Sequence, residues 1–86
     1  MARRKQNEEF TFEIKEHIGV FENSKRVTKG GVEWQKEVNL VSWNGNPAKI
    51  DIRDWNESYD KVSKGIVFTE EEAKELLKIL TEYFEK

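Results

Sequence analysis

Ala48-Lys49-Ile50-Asp51-Ile52-Arg53-Asp54-Trp55 is the stretch whose reading settles what the chain builds. Successive side chains of a strand point to opposite faces, so Ile50 and Ile52 share one face while Lys49, Asp51, Arg53 and Trp55 share the other. The isoleucine face asks for a core. The other sets a large aromatic beside two cations, a combination suited to something flat and anionic lying against it.

Upstream, Asn44-Gly45-Asn46-Pro47 is a strong turn signal that sends the chain back from an earlier strand, Val32 to Trp43. The apolar residues of that strand change phase, with Val32, Trp34, Val38 and Leu40 even and Val41 and Trp43 odd. A bulge near Asn39 to Val41 is the expected cause, and it would curl the sheet. Phe10, Phe12, Ile14, Ile18 and Val20 share one phase and predict a long first strand, with Glu16 the one intruder and His17 on the polar side. Between these two strands, Asn23 to Gly31 reads as a mobile hairpin loop carrying Lys25, Arg26 and Lys29.

Downstream of the decisive stretch, Asn56 to Ser63 is polar and irregular, and Gly65 to Phe68 is a short fourth strand. Thr69 is then an N-cap with Glu72 at the capping-box position. In the helix that follows, Ala73, Leu76, Leu77, Leu80 and Phe84 form an apolar stripe, and Glu70 with Lys74 and Glu82 with Lys86 are pairs four apart. The order ββββα predicts an α+β domain: a curved four-stranded antiparallel sheet followed by one C-terminal amphipathic helix. One helix of this length cannot cover such long strands, so the remainder is expected to meet a second copy or a ligand.

Of the 86 residues, 36% are hydrophobic and 37% charged, well above the ~25% charged of an average domain. That allows one domain with a thin core, and a homodimer interface is the expected supplement. The reading divides the chain into a disordered basic tail, residues 1–8, with Arg3, Arg4 and Lys5, and a single domain over 9–86. There is no cysteine and no long apolar run, so disulfides, thiolate metal sites and a membrane span are not expected, and the expected setting is the cytoplasm. The net charge of −2 is unusual for a nucleic-acid binder. However, residues 70–86 hold six acidic and three basic groups, which leaves residues 1–69 at +1.

Trp34, Trp43 and Trp55, interleaved with Lys36, Lys49 and Arg53, are the main functional signal. Bases stack on such rings for ~1 to 3 kcal/mol each while cations track the phosphates. Tryptophan also serves as cross-strand packing, and both roles stay open at this point. Lys61 and Lys64 flank the loop into Gly65. A lone His17, no cysteine, no nucleophile elbow and no phosphate-binding glycine loop argue for a non-enzymatic protein with no cofactor, no metal and no small-molecule substrate.

The run Ile50-Asp51-Ile52-Arg53-Asp54-Trp55, a polar loop, Lys64-Gly65-Ile66 and a capped helix resemble the positive cofactor four family of transcriptional coactivators. The likeness is closer to its bacterial YdbC-like branch, where Val41-Ser42-Trp43-Asn44 and the first strand also match. The resemblance implies an intertwined homodimer that binds single-stranded DNA with little sequence preference. It also implies Arg53 and Lys64 as phosphate-facing cations and Trp55 as a stacking aromatic, with Trp43 a looser match. Trp34, Lys36 and Lys49 join this set from strand phase alone. Gln35, Glu37 and Leu40 carry no positive charge where the family's second strand would. The expected function is therefore sequence-tolerant single-strand binding in transcription regulation or another DNA transaction. Single-stranded RNA binding, or a protein-interaction module of the same fold, are the alternatives.

Overall fold

The computed structural model describes residues 11–85, and in it the decisive stretch is a strand paired on both sides. The elements are β1 (Phe12–Val20), a 3-10 turn (Glu22–Ser24), β2 (Arg26–Val27), β3 (Glu33–Trp43), β4 (Lys49–Asn56), β5 (Ile66–Phe68) and α1 (Glu70–Phe84). All strand pairs are antiparallel, in the order β1-β3-β4-β5, with β2 on β3 beyond the end of β1. The α+β architecture is the one expected, with one strand more: the supposed loop from Asn23 to Gly31 contains the second half of the 3-10 turn and β2. The expected tail and the Glu82–Lys86 pair fall partly or wholly outside the described residues.

β3 and β4 pair without interruption from Trp34 opposite Asn56 to Val41 opposite Lys49, so the bulge expected near Asn39 to Val41 is not in that strand. It is on the neighbour. β1 slips register between Ile14 and Glu16 and again between His17 and Gly19, opposite that very part of β3. The first slip turns His17 instead of Glu16 toward the face that Phe12 and Ile14 occupy, which spares that face the intruding carboxylate. The second returns Val20 to it and leaves Ile18 half exposed, although its phase had grouped it with the core.

The phase change within β3 has another cause: both sheet faces carry apolar groups. Cross-strand partners share a face. Val38, Leu40, Ile50, Ile52 and Phe68 therefore lie on one side, and Phe12, Ile14, Val41, Trp43 and Trp55 on the other. Among the described residues the second side is the one closed within one chain, with Val41 and Trp55 fully buried.

The helix begins as expected. Thr69 Oγ1 accepts from the Glu72 backbone N–H at 3.1 Å and the Glu72 carboxylate accepts from the Thr69 N–H at 2.9 Å, while Lys74 pairs with Glu70 at 3.1 Å. The helix packs on β4 and β5 and buries none of its residues fully. Leu77 is 67% and Phe84 76% exposed, so most of the apolar stripe remains uncovered.

Candidate functional site

The closed face of the sheet is an aromatic stack interleaved with buried carboxylates. Trp43 at the end of β3 and Trp55 near the end of β4 lie 6.2 Å apart at 13°, with Phe12 of β1 5.5 Å from the first ring and 5.2 Å from the second. Tyr59, from the loop after β4, adds its ring 5.5 Å from Trp55. Trp55 is thereby 0% exposed, and its Nε1 meets no hydrogen-bond acceptor among the described residues. This corrects the expectation of an open Trp55 over solvent. The strand phase was right, but the face it shares with Arg53 is the one the chain folds around, because Phe12 and Tyr59 cap the ring.

Asp51, also 0% exposed, ties this stack to Arg53. Its Oδ1 accepts from Arg53 Nε at 2.7 Å and its Oδ2 from Trp43 Nε1 at 3.0 Å, while the Arg53 guanidinium carbon lies 4.5 Å over the Trp43 ring. Arg53 Nη1 donates further to the Ser63 carbonyl at 3.3 Å. The charge of Arg53 is therefore largely matched by a neighbour before any ligand arrives. Gly65 fits against this arrangement. A Cβ there would meet the Ile52 carbonyl and Arg53 Cβ, and would stand 2.8 Å from Arg53 Nε.

A second buried carboxylate lies one cross-strand step away. Glu37, opposite Arg53, accepts from Gln35 Nε2 at 2.7 Å, Tyr59 Oη at 2.7 Å and Asn39 Nδ2 at 3.0 Å. Burial pushes the Glu37 carboxyl up, but those three donors and the nearby His17 outweigh it and hold it below the usual glutamate range. The same burial and contact push the Tyr59 phenol up to about 12. His17 Nδ1 lies 3.0 Å from Asn39 Oδ1, and the ring meets Tyr59 edge-on at 5.7 Å. Tyr59 has φ 60, a left-handed backbone conformation uncommon outside glycine, held by these contacts.

Lys49 is exposed and shares with Trp43, Val41, Asn46, Pro47 and Val67 a hollow of about 200 Å³ beside the Asn44-Gly45 turn. In that turn both residues have positive φ and Asn46 N–H donates to Trp43 O at 2.9 Å. Lys64 is exposed next to Gly65. The structure thus gathers Trp43, Lys49, Arg53 and Trp55 on one face, with Lys64 one residue from the segment packed on Arg53.

Trp34 and Lys36 are not in that group. Their register, Trp34 opposite Arg26 and Asn56 and Lys36 opposite Asp54, puts them in the other phase of β3. There Arg26 at 3.3 Å and Lys36 at 3.6 Å both pair with Asp54. Asp51 and Glu37 are carboxylates of this face that the sequence reading does not single out; Glu37 enters it only as a position without positive charge. The available signal was a carboxylate between two isoleucines with an arginine two residues on, which strand alternation places on its own side. Among the described residues no three His, Asp or Glu side chains are placed to hold a metal ion, and no helix is long and apolar enough to cross a membrane.

Two comparisons bear on this site. Residues 32–79, which span β3, β4, β5 and most of α1, match the family described as transcriptional coactivator p15 (PC4). An uncharacterized protein of Treponema pallidum (strain Nichols) is 35% identical over 66 residues, which cover 77% of this chain and 71% of that protein.

Proposed function

This chain belongs to the transcriptional coactivator p15 (PC4) family, and from that premise we propose that it binds single-stranded DNA as a homodimer, without chemical catalysis, in transcription regulation or a related DNA transaction. The observation that carries this reading is Trp43. Its indole has a guanidinium over the ring and shares an adjoining hollow with Lys49. A base in that hollow packs against the indole while the phosphates beside it meet Lys49, Arg53 further along β4, and Lys64 just before β5. Trp55 supports the stack from below instead of contacting the strand. Trp34 and Lys36 stand apart from this contact surface.

The uncovered apolar surface supports the dimer reading: the α1 stripe and the isoleucine face of the sheet lack a cover, and a second copy offers the same surface. Titration of fluorescent oligothymidine, with a duplex of equal length as control, tests the reading. Preferential binding of the single strand is expected, with log affinity falling against log salt by roughly 0.7 for each phosphate neutralised. The slope per protomer should be shallow, since the charge of Arg53 is already offset by Asp51. Equal binding of duplex and single strand would overturn it.

A further inference from the structure

We propose that Asp51 is the positioning residue of the strand-binding face: one buried carboxylate fixes both the plane of Trp43 and the guanidinium of Arg53, so that ring and cation are preorganised before DNA arrives. This rests on the reading of the site given above. Three contacts form a closed triangle, Trp43 Nε1 to Oδ2 at 3.0 Å, Arg53 Nε to Oδ1 at 2.7 Å, and Arg53 over the Trp43 ring at 4.5 Å. Each carboxylate oxygen has its own donor, so neither side chain can turn without breaking a charge-assisted bond to a carboxylate that solvent does not reach. Ser63 O and the absence of a side chain at Gly65 complete the seat of Arg53. A carboxylate facing a polyanion works against affinity by charge alone. Its place here makes sense as an orienting group whose charge is offset by the arginine it holds.

Asp51→Asn separates these two effects. The amide keeps the shape but offers one acceptor oxygen and a donor nitrogen, so it can serve only one of the two donors, and it leaves Arg53 without its counter-charge. In the free protein, the Trp43 indole N–H resonance should move in D51N. With oligothymidine, the salt slope should steepen by up to roughly 0.7, because the charge with which Arg53 meets its phosphate is no longer offset by Asp51. At high salt, where charge is screened, affinity should fall on the order of tenfold for the lost orientation. Trp43→Phe, which keeps a ring but removes Nε1, is the second variant should D51N fold poorly. It should weaken binding severalfold with the slope unchanged.

An indole resonance that stays in place in D51N overturns the assignment. So does binding that is tighter than the parent's at every salt concentration, which would make Asp51 only a repulsive charge. A purely structural role would lower the melting temperature but leave slope and high-salt affinity at the parent's values, and that result also contradicts it. If the parent fails to bind oligothymidine while the resonance still moves in D51N, the DNA reading fails and the orienting role of Asp51 stands.

Discussion

Replacing Trp55 with alanine removes a ring that Phe12, Trp43 and Tyr59 all touch and that solvent does not reach. The expected cost is about 3 to 5 kcal/mol of fold stability, most of what a small domain has. Trp43→Ala, at a half-buried ring beside the Lys49 hollow, should instead lose ~1 to 3 kcal/mol of single-strand affinity, about ten- to a hundredfold. Melting and oligonucleotide titration on both variants separate the two tryptophans. A Trp55→Ala protein that melts like the parent would show that the stack is not its anchor. Tyr59 and Glu37 set the pH limits of the same stack. The Tyr59 phenol keeps its proton longer in the folded chain, so its contribution is complete below the unfolded value of about 10 and is lost as pH rises through about 12. The Glu37 carboxyl is lowered, so its contribution is present above the unfolded value of about 4.3 and is lost as pH falls through the folded one. Melting temperature against pH should therefore be flat between these limits and drop outside them, and Tyr59→Phe should remove part of the alkaline drop. An identical alkaline limb in that variant would contradict the assignment.

β5 approaches β4 closely because residue 65 has no side chain. Gly65→Ala would push β5 and the Lys64 segment off Arg53, with an expected loss of about 1 to 3 kcal/mol for overpacking. Denaturant melts check this, and an unchanged midpoint would mean that the loop yields without cost. The elements nearest this point were legible in the sequence, since the alternation of Ile50 and Ile52 fixes a strand and Thr69 with Glu72 fixes a helix start. The bulges of β1 were not, because a register slip depends on which neighbour the strand meets; Glu16 in an apolar phase is the trace it leaves in the sequence. The same holds for the site. That Arg53 and Trp55 share a face is local information, whereas the burial of that face depends on Phe12 and Tyr59 arriving from far along the chain. Trp34 and Lys36 join them from the phase of their own strand, and the cross-strand register is what separates them.

For the molecule as a whole, the central feature is an apolar surface among the described residues that is still open. Leu77, Leu80, Tyr83 and Phe84 on α1, with Ile66 at the sheet edge, are exposed in the single chain. Light scattering at micromolar concentration should give twice the mass of one chain, and Leu80→Glu should shift it toward monomer. A monomeric parent that unfolds cooperatively would contradict the pairing. Which face a single strand touches is reported directly by the three tryptophans. In a nitrogen-15 correlation spectrum they give three indole N–H signals, which oligothymidine can be added to while they are watched. The predicted result is that the Trp43 signal moves most, Trp55 follows through the stack, and Trp34 stays. Movement of Trp34 with Trp43 unmoved would place the strand on the opposite side of the sheet and contradict the account.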